Sequence, residues 1–409
     1  MKCRHCEAEI TLPMVDLGSA PPSNAYLTVA SLHGPEKWFP LRVLVCERCW
    51  LVQTEDFSQA HELFDADYAY FSSVSASWLT HAERYVAAMV DRFKLGPQSL
   101  VVEVAANDGY LLQYVKARDI PCVGVEPTAS TATAAREKGI TIVPDFFGVA
   151  LATMLRDDGR AADLTAANNV LAHVPDINDF VAGFAVLLKP NGVSTFEFPH
   201  LLRLVAENQF DTIYHEHYSY LSLSAVDRIF AANGLTVFDV EEISTHGGSL
   251  RVYAQRADTG QHARSIGVAQ LLAREKASGM LAADYYAGFQ AATDTVKNDF
   301  MSFLLQAKRE GKTVAGYGAA AKGNTLMNYA GVRPDLIAFV VDRSASKQGK
   351  FMPGSRIPIV DEAHLKAAKP DYIVILPWNL KAELSSQLDY ARVWGAKLVT
   401  AVPSMWISP

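Results

Sequence analysis

Twice along this chain a short apolar run ends in a turn of small residues and passes into a helix-like segment. Leu100-Val101-Val102-Glu103-Val104-Ala105 leads through Asn107-Asp108-Gly109 into Tyr110-Leu111-Leu112-Gln113-Tyr114-Val115. Later, Thr313-Val314-Ala315 leads into Gly316-Tyr317-Gly318-Ala319-Ala320-Ala321-Lys322-Gly323. An apolar run without polar alternation fits a strand covered on both faces, as in a parallel sheet flanked by helices. Cys122 to Pro127, Leu164 to Asn169 and Gly192 to Phe198 supply further strands for the first unit. Leu336 to Val341, Tyr372 to Leu376 and Lys397 to Thr400 do so for the second. Strands alternating with helices predict doubly wound sheets. Two of them exceed one hydrophobic core, as a length of 409 residues also implies. The expected fold class is α/β, with a Rossmann-like domain over residues 67–257, a second Rossmann-like domain over 258–409, and a small domain over 1–66. Trp78 to Phe93 and most of 260–310 read as helix.

The small N-terminal domain is defined by Cys3-x-x-Cys6 and Cys46-x-x-Cys49, which hold four of the five cysteines. Thiolates two residues apart reach one ion, and two such pairs complete the tetrahedral shell that zinc prefers. Two disulfides or free thiols are the competing reading. No signal-peptide pattern points to an oxidising compartment, so structural zinc on Cys3, Cys6, Cys46 and Cys49 is expected, and a cytoplasmic location with it. Leu17-Gly18-Ser19-Ala20-Pro21-Pro22 reads as a turn and Leu41 to Val45 as a strand. Zinc ribbons often bind nucleic acid, but a net charge of -7 without a basic tract opposes that partner. No apolar run is long enough to cross a bilayer, so no membrane partner is expected.

In an open parallel sheet, ligands sit beyond the carboxyl ends of the strands. At the first sheet that rim carries Ala105, Asn107 and Gly109 in the turn after Glu103, Glu126 at the end of the second strand, and Asp145 and Phe146 after the third. A turn that lets backbone approach, a carboxylate for a ribose diol and an aromatic face for adenine suit S-adenosylmethionine. NAD is the competitor, but its fingerprint wants three glycines and this turn has one.

The densest polar chemistry is Tyr214-His215-Glu216-His217-Tyr218, with Asn168-Asn169-Val170-Leu171-Ala172-His173 upstream at the same rim. Histidine takes a proton near neutral pH, a carboxylate can orient it, and tyrosine can donate to a developing oxyanion. The set suits proton abstraction beside a carbonyl. A metal pair on His215 and His217 and a polar surface strand are the alternatives; the pair lacks the i, i+4 helical spacing of hydrolytic zinc sites. Ser224-Ala225-Val226-Asp227 has capping-box spacing and predicts a helix start. At the second sheet, Gly316, Gly318 and Lys322 form a loop before a helix, suited to phosphates, and Asp342 stands where a ribose-binding acid is expected.

Taken together, Cys3-x-x-Cys6, Cys46-x-x-Cys49, Glu103 to Gly109, Asn168 to His173, Tyr214-His215-Glu216-His217, His246-Gly247-Gly248-Ser249-Leu250-Arg251 and Gly316-Tyr317-Gly318 resemble the sugar C-methyltransferases that act on nucleotide-linked 4-keto deoxysugars. The resemblance implies a zinc-binding N-terminal domain, a central methyltransferase domain for S-adenosylmethionine, and a C-terminal domain that helps hold the nucleotide sugar. It implies that His217 removes the proton alpha to the ketone, Glu216 orients or contacts the sugar, and Tyr214, Tyr70 and His173 line its pocket. It places Asn169, His215 and Arg251 on the substrate side and Asn168 on the cofactor side. The enolate would take the methyl group and give a branched sugar. The cysteine domain would bring Tyr68 and Tyr70 to the pocket. Spacing alone does not choose between His215 and His217 as base. It also leaves open the carrier nucleotide (dTDP, GDP or CDP), the carbon methylated and the oligomeric state. The rival readings are an NAD-dependent nucleotide-sugar oxidoreductase or epimerase and a non-catalytic zinc-ribbon binding protein.

Overall fold

The computed structural model describes residues 1–55 and 71–409, so Tyr68 and Tyr70 lie outside the described residues. The front module contributes β1 (Leu12–Ala20), β2 (Phe39–Val45) and β3 (Val52–Thr54), paired antiparallel in that order. Leu17 to Ala20, expected as a turn, instead continues β1. A register shift between Asp16 and Ser19, with Gly18 at φ +74°, absorbs the irregularity as a bulge. The strand stops only at Pro21 and Pro22.

The central module holds β4 (Val101–Val104), β5 (Cys122–Val125), β6 (Thr141–Val143), β7 (Ala162–Asn168), β8 (Leu188–Pro199), the short β9 (Ser219–Tyr220), β10 (Leu235–Ile243) and β11 (Ser249–Arg256). Its seven-stranded sheet runs β10-β11-β8-β7-β4-β5-β6. The strands from β8 to β6 are parallel, and β11 pairs antiparallel with both of its neighbours. All four residues of β4 are buried, as its unbroken apolar text requires. The chain steps from β4 outward to β6, then returns to β7 on the other side, so the crevice for a ligand opens beyond the ends of β4 and β7.

β9 leaves the central sheet and pairs with β3, matching Val52 to Tyr220 and Gln53 to Ser219. The segment His215 to Tyr218 therefore runs directly into the cysteine module. The C-terminal module follows helices Ile266–Ala277, Asp284–Ala287 and Phe289–Arg309. Its strands are β12 (Val314–Tyr317), β13 (Val340–Val341), β14 (Ile359–Val360), β15 (Tyr372–Ile375), β16 (Lys397–Thr400) and β17 (Trp406–Ile407), ordered β14-β13-β12-β15-β16-β17. The strand expected from Leu336 shortens to Val340 and Val341, because the Leu336 and Ile337 amides turn back to the Arg333 carbonyl. One apolar cluster joins Met14 and Val43 in front to Phe210 and Ile213, and on to Phe300, Val314 and Val340. A second packs Cys3, Cys46 and Cys49 against Leu171, Ile177 and Phe180. The modules thus share cores. Among the described residues no helix is long and apolar enough to cross a membrane.

The helix Leu223–Ala232 is capped by Ser222, whose side chain accepts from the Ala225 amide, and not by Ser224. Ser224 instead donates its amide and hydroxyl to Glu275 at 2.7 and 2.6 Å. The other Glu275 oxygen accepts from the Leu223 amide and from His200 Nε2, both at 2.7 Å. His200 and Glu275 are almost wholly buried, so truncating the carboxylate strands four donors. Glu275→Ala is expected to cost about 3–5 kcal/mol and lower the thermal midpoint by roughly 10 °C. Calorimetry checks this, and a midpoint unchanged from the parent would refute a net contribution from this cluster.

Candidate active site

The rims of both parallel sheets open on one cavity of about 750 Å³, walled by residues from all three modules. From the central sheet, Ala105, Asn107, Glu126, Asp145, Phe146 and Asn168 line it. The turn after β4 is left-handed at Ala105 (φ +58°) and Asn107 (φ +48°), which brings backbone to the cavity edge. Glu126 is held by the Asn107 amide at 2.8 Å and the Thr128 amide at 2.9 Å, leaving lone pairs for a further donor. Asn168 is buried, and neither polar atom of its amide has a hydrogen-bond partner. A fixed carboxylate and an unspent amide at one wall fit a ligand that carries hydroxyls and a zwitterionic tail.

Two expected cofactor residues sit elsewhere. Glu103 lies wholly buried within β4, beneath the rim, where burial raises its pKa well above the usual carboxylate range. Gly109 (φ +75°) serves packing, since a Cβ there would lie 2.3 Å from Ile140 Cδ1.

Across the cavity stand His217, His173, Tyr214 and Asn169. His217 donates Nδ1–H to the Thr212 carbonyl at 2.8 Å, which makes Nε2 the acceptor nitrogen. Burial, then the neighbouring His173, hold its pKa well below 6.5. The two rings lie 4.6 Å apart, and the Tyr214 ring is 4.0 Å from His217. His173 donates Nδ1–H to the Glu216 carbonyl at 2.7 Å, and burial lowers its pKa to about 4. Glu216 does not line the cavity. Its Oε1 accepts from the Asn24 amide and side chain at 3.2 and 3.1 Å, and burial raises its pKa.

His215 is separated from this group, with Nε2 directed at the carbonyls of Phe39 and Pro40 on β2 at 3.3 and 3.2 Å. Arg251, expected on the substrate, is instead buried against Glu197 at 2.7 Å and reaches Glu241 at 2.9 Å. Arg251 and Glu197 are direct partners across β11 and β8.

The C-terminal rim contributes Ala320, Ala321, Lys322, Lys347 and Asn379. Gly316 lies within β12, under the rim. Gly318 (φ +86°) lets Pro377 approach, for a Cβ would sit 2.6 Å from its ring. Asp342 is removed from the cavity by its own chain: its carboxylate accepts from the Ala319 and Ser344 amides, each at 2.8 Å. The ribose-binding acid of an NAD reading is therefore engaged elsewhere.

Trp78 and His81 line the cavity without having been singled out as site residues by sequence, and His246 entered only within a longer motif. Trp78 stacks on His81 at 4.8 Å and meets His246 at 5.2 Å. His81 donates to Glu197 at 2.7 Å. His246 sits at φ +55° with Nε2 3.3 Å from the Asn169 amide nitrogen, and burial lowers its pKa to about 4. The one available signal was Trp78 and His81 three residues apart on a helix, hence on one face.

Away from the cavity, the sulfurs of Cys3, Cys6, Cys46 and Cys49 lie within 4.8 Å of one another. Cys3–Cys49 and Cys6–Cys46 are each 3.5 Å apart. Thiolates about 2.3 Å from one tetrahedral ion would be about 3.8 Å apart, so the donor set fits zinc closely. Buried Gln53 donates to Cys3 Sγ at 3.3 Å, a support expected around a metal thiolate.

Family models match the chain in the same order as its modules. A zinc-binding domain matches residues 3–64, a methyltransferase domain 78–240, and a C-methyltransferase C-terminal domain 244–403. The C-methyltransferase NovU of Streptomyces niveus is 34% identical over 402 residues, covering 98% of this chain and 95% of that protein. Among solved structures, magnesium protoporphyrin IX methyltransferase of Synechocystis PCC 6803 is 17% identical, covering 44% of this chain and 79% of its own, with a TM-score of 0.34. The PH0226 protein of Pyrococcus horikoshii OT3 is 14% identical, covering 49% of this chain and all (100%) of its own, with a TM-score of 0.39.

Proposed function

This chain belongs to the S-adenosylmethionine-dependent C-methyltransferases, and from that premise we propose that its acceptor is a carbon alpha to the ketone of a nucleotide-linked 4-keto deoxysugar, activated as an enolate. Bound S-adenosylmethionine supplies an electrophilic methyl group. Glu126 would hold its ribose, Asp145 and Phe146 its adenine, and Asn107 and Asn168 its amino-acid tail. Zinc on the four cysteines is structural, because four thiolates leave no open position.

The observation that carries the reading is the tautomer of His217. With Nδ1–H committed to the Thr212 carbonyl, the lone pair of Nε2 belongs to the cavity that both rims share. Nε2 takes the α-proton, the C–H electron pair becomes the enolate double bond, and the carbonyl π pair moves to oxygen. Because His217 is desolvated it stands neutral, ready to accept. Tyr214, Asn169 and His173 line the sugar. Glu216 acts as a positioning residue, joining the front module to the histidine segment through Asn24. The phosphates would meet Lys347 and the first amides of the helix Ala321–Ala330, where a helix end favours anions.

The test is a panel of 4-keto deoxysugars carried on dTDP, GDP and CDP, incubated with methyl-labelled S-adenosylmethionine. The expected result is one product with a new C–C methyl beside C4, identified by NMR. Methyl transfer to a carbon of some other acceptor, with every keto sugar left unlabelled, would sink the sugar reading.

A further inference from the structure

Enolate formation places a negative charge in a buried cavity next to a base that has just become an imidazolium, and some group must balance the oxygen. We propose that Lys322 is the fixed cation that stabilises this oxyanion, and that it is not a phosphate ligand; the inference rests on the enolate reading above.

Lys322 stands in the first turn of the helix Ala321–Ala330 and lines the cavity with His217. That helix is fastened to the histidine segment. Thr325 Oγ1 donates to the Ile213 carbonyl at 2.8 Å, and Ile213 directly follows Thr212, whose carbonyl holds His217. The lysine is therefore placed against the base-bearing loop, on a support that also fixes the base.

Its ammonium has few partners. Nζ donates to Asn379 Oδ1 at 3.0 Å and lies over the Trp378 ring, 4.6 Å from its centre. Among the described residues it forms no ion pair within 4.0 Å. The nearby carboxylate, Asp211, is wholly buried, and its Oδ2 accepts from Trp378 Nε1–H at 2.8 Å. Asp211 Oδ1 has no hydrogen-bond partner. Burial raises Asp211 to about 7, so much of its counter-charge is absent near neutrality. Lys322 itself falls to about 8 by burial and remains largely cationic there. Its field disfavours protonation of both His217 and His246, with which it shares the cavity lining. Lys347 is different. Its ammonium is engaged by the Ala319 carbonyl at 2.8 Å and by Asp342 at 3.5 Å, and it packs over Tyr26. Two lysines on one rim thus have separate surroundings and separate tasks.

A cation aimed at the developing oxyanion lowers the barrier to proton removal without strengthening substrate binding. The full-length zinc-loaded protein is compared with Lys322→Met, or with Lys322→Gln if the methionine variant does not fold. The readouts are kcat and KM for the keto sugar, solvent-deuterium exchange at the α-carbon without methyl donor, and binding of the nucleoside diphosphate alone. The expected result is a fall of about 100- to 1,000-fold in both kcat and exchange. KM and nucleoside-diphosphate affinity should stay within about threefold. Lys322→Arg should restore part of the exchange. A rise of about tenfold or more in KM and in the nucleoside-diphosphate Kd, with kcat retained, would make Lys322 a phosphate ligand and overturn the proposal. Unchanged kinetics would overturn it as well. If the parent protein methylates the sugar but exchanges no deuterium, the enolate reading itself falls first, whatever the variants do.

Discussion

Replacing His217 with asparagine is expected to abolish methyl transfer and solvent-deuterium exchange at the target carbon together. A lost general base typically costs about 100- to 10,000-fold. Asparagine keeps a donor for the Thr212 carbonyl, which the parent imidazole binds at 2.8 Å, so the loop should persist while the acceptor nitrogen disappears. The pH profile supplies an independent check. The base works only when neutral, and burial holds its pKa well below 6.5. The acid limb of kcat/KM should therefore begin below the ordinary imidazole range and vanish from the residual activity of the variant. His215→Asn should lack this signature, because that ring faces Phe39 and Pro40 on β2. Full activity in His217→Asn would eliminate His217 as the base.

Removing the zinc ligand Cys46 should be as damaging, although it lies outside the cavity lining. Cys46→Ser is expected to lose bound zinc, drop the thermal midpoint by more than about 10 °C and silence methyl transfer, since structural zinc supplies on the order of 10 kcal/mol to small domains. The route to the chemistry is visible in the backbone. Arg4, between Cys3 and Cys6, donates to the Tyr218 and Thr54 carbonyls at 3.3 and 2.8 Å. Thr54 donates its hydroxyl to the His217 carbonyl and its amide to the Tyr218 carbonyl, each at 3.1 Å. A folded knuckle therefore fixes the main chain of the base itself. Metal analysis, calorimetry and initial rates measured on one preparation check the link. A zinc-free variant with the parent's rate would break it.

The parts of this design legible in the sequence are the local ones. The cysteine spacing, the buried text of β4, β7 and β16, and the small-residue turn after β4 all follow from short-range rules. The parts that were not legible depend on strand register and on contacts between modules. Nothing local shows that Arg251 opposes Glu197, because that needs the pairing of β11 with β8. Nothing local separates His215 from His217 either. The two flank Glu216, and each imidazole is assigned by a carbonyl, that of Thr212 in one case and those of β2 in the other. Asp342 matched a ribose-binding spacing, but the Ser344 amide of its own loop and the Ala319 amide of the loop after β12 occupy the carboxylate. Ser224 matched a capping pattern, yet Glu275, brought by a later helix, competes for it and Ser222 takes the cap.

The pairing of β3 with β9 has a consequence for synthesis on the ribosome. The front sheet is begun by β1 to β3, yet its last strand is Ser219–Tyr220, made more than 160 residues after Thr54. Until then β3 presents an open hydrogen-bonding edge, the kind of surface that invites pairing with another chain. Cysteines that have already captured zinc would hold the nascent strands in register during that wait. The metal would then act first as a guard against misassembly, before any substrate is met.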